Sequence, residues 1–208
     1  MGTEYTNPAA LIEWGVAARP LEGQAESGDF HVVQPFPNGV LVAAVDGLGH
    51  GPEAAAAARS AVVTLADYAH EPVISLARRC HERLLRTRGV VMSLASFNAL
   101  DSTMRWLGVG NVEGVLLRAD GMASPARESI LLRGGVVGFQ LPALHASILP
   151  VTRGDVLILA TDGIRSGFVE DVTLSDPPQR IAEQILARRA SGTDDALVLV
   201  ARYLGREP

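Results

Sequence analysis

Cysteine is almost missing from this chain: Cys80 is the only one in 208 residues. One thiol forms no internal disulfide, and no Cys cluster exists for zinc. Cys80 stands within a helical pattern and reads as a small, partly buried packing residue rather than a nucleophile. A basic excess is missing too. Eighteen basic residues stand against 23 acidic ones, for a net charge of −5, with the signs interspersed. That balance excludes a nucleic-acid footprint, so neither DNA nor RNA is expected as a partner. The opening residues, Met1 to Pro8, carry no basic-then-apolar leader, and no uninterrupted apolar run reaches membrane-spanning length. A cytoplasmic protein without a membrane partner is the expectation. No repeat, low-complexity tract or linker divides the sequence, which predicts a single domain over residues 1–208.

What is present is the profile of a folded globule, 48% hydrophobic and 20% charged. Such a chain buries a core without structural metal or disulfides. The most informative stretch runs from Val40 to Gly51. An apolar strand ends in one acid, Asp46, three glycines follow within five residues, and an alanine-rich helix begins at Pro52. Upstream, Leu11 to Ala18 reads as a strand. Phe30 to Gln34 reads as another, joined to Val40–Val45 by a turn through Pro35, Pro37, Asn38 and Gly39. Antiparallel pairing of these two would bring Asp29 and Asp46 to one sheet edge.

Pro52 and Glu53 suit a first helical turn, and the helix is expected to reach Tyr68 or Ala69. Pro72 opens a second helix, which Gly89 closes. Arg78, Arg79, Glu82, Arg83 and Arg86 fall on its wet side, a solvated face or a docking surface for an acidic partner. Val90–Ala99, Thr103–Val109 and Val112–Leu117 suit a three-strand meander. Ile130–Leu132 and Leu144–Leu149 read as weaker strands. Val156–Ala160 is a fully apolar strand that ends in Thr161-Asp162-Gly163, a second case of strand followed by Asp-Gly. A helix from Pro178 to Arg189 and a strand from Ala196 to Ala201, introduced by Asp194-Asp195, complete the chain. The pattern predicts an α+β domain of antiparallel sheets covered by helices.

Asp29, Asp46, Asp162, Asp194 and Asp195 all stand where an apolar strand begins or ends. No matching set of cations lies beside them in sequence. Each could simply cap a turn. Together they suit a divalent cation, since carboxylates, carbonyls and water are the ligands Mg²⁺ and Mn²⁺ prefer.

Ser27-Gly28-Asp29, Asp46-Gly47-Leu48-Gly49-His50-Gly51, Gly154-Asp155 with Thr161-Asp162-Gly163, and Thr193-Asp194-Asp195 occur in this order. With these motifs the chain resembles the metal-dependent serine/threonine phosphatases of the PP2C type, within the bacterial SpoIIE and RsbU branch. The resemblance covers about Leu11 to Tyr203. It implies a four-layer α-β-β-α sandwich and a site for two Mn²⁺ or Mg²⁺ ions. Asp46 would bridge both ions, with the Gly47 carbonyl on one. Asp162 and Asp194 would complete the second, Asp29 would act through water, and Asp195 would stand behind the ligands. Asp46 and Asp162 would be the catalytic carboxylates. The implied reaction is direct hydrolysis of phosphoserine or phosphothreonine by a metal-activated water. With Thr87-Arg88-Gly89-Val90-Val91-Met92-Ser93, the resemblance narrows to bare catalytic domains that act on phosphorylated STAS-domain proteins, the stressosome scaffold and its paralogues.

Two departures accompany the likeness. Leu48 stands where the animal members place a general-acid His, and His50 comes two residues later. The phosphate-binding Arg of the eukaryotic members has no secure counterpart, Arg19 being far upstream of Asp29. A docking regulator of the same partners with a degenerate site, or a hydrolase of small phosphoesters, would fit the same motifs.

Overall fold

The computed structural model describes residues 11–205. The reading of the opening stretch as leaderless lies outside them. Two five-stranded antiparallel sheets pack face to face, with helices on both outer sides. The first sheet contains β1 (Ile12–Arg19), β10 (Ala196–Tyr203), β9 (Val156–Ala160), β6 (Glu113–Leu117) and β7 (Arg127–Ser129), in that order. The second contains β2 (Asp29–Phe36), β3 (Gly39–Gly47), β4 (Val90–Asn98), β5 (Thr103–Val109) and β8 (Ser147–Pro150). Helices α1 (Pro52–Asp67) and α2 (Val73–Leu84) cover the second sheet, and α3 (Pro178–Arg189) covers the first. This is the expected four-layer sandwich.

The layering follows from strand periodicity, which sends alternate side chains to opposite faces. On β3, Val40, Val42 and Ala44 enter the core between the sheets, while Leu41, Ala43 and Val45 pack beneath the helices. Strand β10 divides in the same way. Leu197, Leu199 and Ala201 face the other sheet, and Ala196, Val198 and Val200 meet Ile181, Ala182 and Ile185 of α3. Strands buried on both faces read as unbroken apolar runs, which is why their positions were plain in the sequence. Pro35 sits within β2 without harm, because β2 is an edge strand.

The structure corrects two expectations. Strands β4, β5 and β6 form no meander: β4 pairs with β5, but beyond Gly110-Asn111 the chain crosses to the other sheet, where β6 pairs with β9. Residues 130–146 form an irregular segment held by isolated bridges such as Val90–Val137, and the pairing at each end comes from β7 and β8. Cys80 is fully buried, its Sγ 3.9 Å from the Ala61 carbonyl, and burial pushes its thiol up to about 12. That agrees with a packing role.

A candidate site of converging carboxylates

The turn between β2 and β3 needs only two residues, Pro37 and Asn38, and the left-handed φ of 62° at Asn38 suits its type. That turn fixes the register, which pairs Asp29 directly with Asp46. From the first sheet, Asp162 follows the end of β9 and Asp194 precedes β10. Asp46, Asp162 and Asp194 line one cleft of about 450 Å³, together with Gly49, Asn111 and Gly134. The cleft lies where the two sheets present their strand ends to each other. A larger hollow of about 680 Å³ lies between α1 and α2, but none of the five acids lines it. The chemistry points to the smaller one.

Close backbone packing holds the acids in place. A Cβ on Gly47 would stand 2.2 Å from the Ala54 carbonyl oxygen, and one on Gly163 would stand 1.9 Å from the Asp195 carbonyl oxygen. The repeated Asp-Gly is thus a contact requirement: glycine after the acid lets a neighbouring backbone close in. Asp195 is buried and clamps the entry to β2. Its Oδ2 accepts from the Gly28 N–H at 2.6 Å and its Oδ1 from the Leu21 N–H at 2.7 Å.

Two pairings had no sequence signal. Thr161 Oγ1 donates to Asp29 Oδ2 at 2.7 Å and accepts from the Leu197 N–H at 2.9 Å. Asn111 Nδ2 donates to Asp162 Oδ2 at 2.7 Å. Both residues stand next to a motif acid in space, but only Thr161 is next to one in sequence. A hydroxyl or amide there looks ordinary until the two sheets are stacked. Ser27 accepts from the Asp29 N–H at 3.0 Å. Gly154-Asp155, by contrast, belongs to the fold. Buried Asp155 accepts from Arg118 at 2.9 Å, from the Ala119 N–H at 2.9 Å and from the Thr152 N–H at 3.1 Å.

The cluster repels itself. Asp46 is pushed up to about 9, first by burial and then by Asp29, Asp162, Asp194 and Asp195. Asp29 is pushed up to about 7 by burial, with the Thr161 hydrogen bond pulling the other way and Asp195, Asp162 and Asp194 adding to the rise. Burial and Asp194 also raise Asp162. Among the described residues, no arginine forms an ion pair with any of the five acids, and no hydrogen bond reaches the Asp46 carboxylate.

Carboxylates raised by burial and by mutual repulsion fit a hard divalent cation, whose charge would return them to the ionised form. Among the described residues, no three acidic, His or Cys side chains close into a ready-made cage. An open set of oxygen donors suits Mg²⁺ or Mn²⁺, which keep several waters and accept substrate oxygens. His50 is exposed in the Gly49–Gly51 turn, and Leu48 packs against the core between the sheets. Arg19, at the end of β1, lines a separate hollow with Leu21, Glu22 and Asp194.

The chain is similar to several known proteins. The family model for Stage II sporulation protein E (SpoIIE) matches residues 37–204. Phosphoserine phosphatase RsbX of Bacillus subtilis (strain 168) is 26% identical over 145 residues, which is 69% of this chain and 70% of that protein. A chain from a structure of the bacterial stressosome, a modular system adapted to control secondary messenger signaling, superimposes with a TM-score of 0.83. It is 27% identical, and the match covers 92% of this chain and 99% of that one. RsbX in complex with magnesium gives a TM-score of 0.82 at 20% identity, with 98% of each chain covered. The PP2C phosphatase domain of SpoIIE from Bacillus subtilis, with a fragment of its regulatory domain, gives 0.75 at 21% identity, covering 95% of this chain and 64% of that one.

Proposed function

The chain belongs to the SpoIIE family of PP2C-type phosphatase domains, and from that premise we propose that it is a Mn²⁺- or Mg²⁺-dependent serine/threonine protein phosphatase, RsbX-like, acting on phosphorylated STAS-domain proteins of a stressosome. The observation that carries the reading is the convergence of Asp46, Asp162 and Asp194 on one cleft, with Asp29 paired to Asp46 behind them.

In this reading Asp46, the Gly47 carbonyl, Asp162 and Asp194 would hold the cations, and Asp29 would support them through water. Cations bound there supply Lewis acidity and lower the pKa of water near neutral pH. Thr161 fixes the rotamer of Asp29, Asn111 fixes that of Asp162, and Asp195 holds the strand entry that carries Asp29. One ester P–O bond breaks, one P–O bond to water forms, and the serine or threonine oxygen leaves with a proton. Cys80 lies buried away from the cleft, so direct hydrolysis without a covalent phosphoenzyme is the simpler course. A single domain over 1–208 and a cytoplasmic location belong to the same proposal; no described helix is long and apolar enough to cross a membrane.

The test is phosphate release from a phosphorylated STAS-domain protein with Mn²⁺, with Mg²⁺ and with chelator. Release that needs the metal and is lost in Asp46→Asn supports the proposal. No release with either ion, together with Asp46→Asn indistinguishable from the parent in calorimetric Mn²⁺ titration, sinks it. Turnover of small esters in preference to the phosphoprotein would move the assignment to a small-phosphoester hydrolase.

A further inference from the structure

A phosphate monoester entering an acid-lined cleft needs positive charge at the rim as well as from cations at its floor. We propose that Arg88 supplies it: its guanidinium is the group that contacts the substrate phosphoryl oxygens, and Glu53 holds it in reserve until substrate arrives. The inference rests on the phosphatase reading of the site.

All 18 basic residues of the chain are arginines, so any such charge comes from a planar fork. The backbone of Arg88 is pinned beside the Asp46 turn. The Gly89 carbonyl accepts from the Leu48 N–H at 3.1 Å, and Thr87 Oγ1 accepts from the Gly89 N–H at 3.0 Å. The side chain then reaches back to Gly49, a residue of the cleft lining, at one edge of the cleft. Nε and Nη2 both meet Glu53 Oε2, at 2.6 and 2.5 Å. Nη1 is turned over Gly49, where a Cβ would stand 2.9 Å from it. Gly49 lines the cleft with Asp46, Asp162 and Asp194 and has a φ of +82°. A bare backbone there leaves room for the guanidinium at the rim.

The Glu53 pair is exposed on both sides, 48% and 72%, and such a pair is weak and exchangeable. A phosphate dianion carries more charge than a carboxylate and matches the fork with two parallel N–H bonds. Exchange of Glu53 for phosphate therefore needs only side-chain rotation. Glu53 sits in the first turn of α1, directly after the glycine turn, so release of Arg88 leaves it solvated near a helix N-terminus. Arg19 lines a different hollow, which it shares with Asp194 but not Asp46, and is the less suitable cation.

The experiment uses the Mn²⁺-loaded full chain with p-nitrophenyl phosphate as substrate and inorganic phosphate as competing ligand, the latter also titrated calorimetrically without substrate. Loss of one charged hydrogen-bonding group predicts that Arg88→Ala weakens phosphate binding about tenfold and raises KM alike, with Mn²⁺ affinity and thermal midpoint unchanged. Arg88→Lys should recover part of the loss, since charge returns without the fork. Glu53→Gln should bind phosphate at least as tightly as the parent. Phosphate affinity in Arg88→Ala within about twofold of the parent overturns the inference, as does a parent protein that binds no phosphate. If the parent binds phosphate through Arg88 yet turns over no ester, the phosphate contact of Arg88 stands while its role in a phosphatase reaction falls with the phosphatase reading.

Discussion

Thr161 and Asp29 join the two sheets: the threonine hydroxyl, just beyond β9, donates at 2.7 Å to the carboxylate that begins β2. The same oxygen accepts from the Leu197 N–H at 2.9 Å, so one buried hydroxyl orders β9, β10 and β2 together. Thr161→Val keeps the shape but leaves that N–H without its acceptor, at a cost of about 1–3 kcal/mol. It also removes the bond that pulls the Asp29 pKa down. The expected result is a lower midpoint in chemical denaturation and weaker Mn²⁺ binding by calorimetry. Thr161→Ser should retain both properties, and a Ser variant as damaged as the Val variant would show that shape matters rather than the hydroxyl.

Stability without metal should fall as pH rises. Asp29 and Asp46 are raised to about 7 and about 9 in the fold, so between about pH 4 and 9 the folded protein holds protons that the unfolded chain has released. Stability from these groups is fully present below the unfolded carboxylate pKa and is lost as pH climbs through the folded values. Thermal unfolding in chelator between about pH 6 and pH 9 should show a declining midpoint. Added Mn²⁺ should flatten the decline, and so should Asp46→Asn, whose amide does not ionise. A midpoint that rises with pH in chelator would contradict the burial of these acids.

Much of this site was legible in the sequence because tight local rules fixed its parts. A two-residue turn at Pro37-Asn38 leaves one register for β2 and β3, and that register alone makes Asp29 face Asp46. The doubly buried strands announced themselves as apolar runs, and the two Asp-Gly pairs marked where backbone comes close. The turn at Gly110-Asn111 was not readable in the same way. A short turn signals a change of direction, but which sheet receives β6 is decided by how Val115 and Leu116 share their faces between two cores. The segment from Gly134 to Leu144 has strand-like composition, yet the left-handed φ of 101° at Gly138 bends it, and it makes only isolated bridges such as Val136–Gln140. The pairings of Thr161 with Asp29 and of Asn111 with Asp162 were not readable, because the partners lie far apart in sequence.

Gly154-Asp155 is among the motifs of the family resemblance, and its work is folding rather than chemistry. Asp155 has no exposed side-chain surface and pairs with Arg118, whose own exposure is 12%. Arg118 also pairs with Glu128 of β7. Asp155→Ala would leave the Ala119 and Thr152 N–H groups without their acceptor, while Arg118 keeps Glu128 and the Pro150 carbonyl. Each buried N–H left unsatisfied costs about 1–3 kcal/mol. Urea denaturation should register that loss, while Mn²⁺ affinity and turnover per folded molecule stay at the parent values. Loss of metal affinity in the remaining folded fraction would place Asp155 in the site after all.

Asp195 separates support from ligation most clearly. Its carboxylate receives the Leu21 and Gly28 N–H groups, and its charge raises both Asp29 and Asp46. Asp195→Asn therefore has two opposed effects. The amide keeps one acceptor oxygen and loses the other, which costs about 1–2 kcal/mol and loosens residues 21–28. It also removes a negative charge from the cluster, which eases the repulsion on Asp29 and Asp46 and weakens the attraction for a cation. Hydrogen exchange at Leu21 and Gly28 should speed up, and Mn²⁺ affinity should fall by about tenfold without vanishing. Asp46→Asn, which removes a carboxylate that the proposal places on the cations, should abolish binding while leaving exchange at Leu21 and Gly28 slow. If instead Asp195→Asn abolishes Mn²⁺ binding as completely as Asp46→Asn, Asp195 is itself a ligand and the roles of the paired aspartates at 194 and 195 must be exchanged.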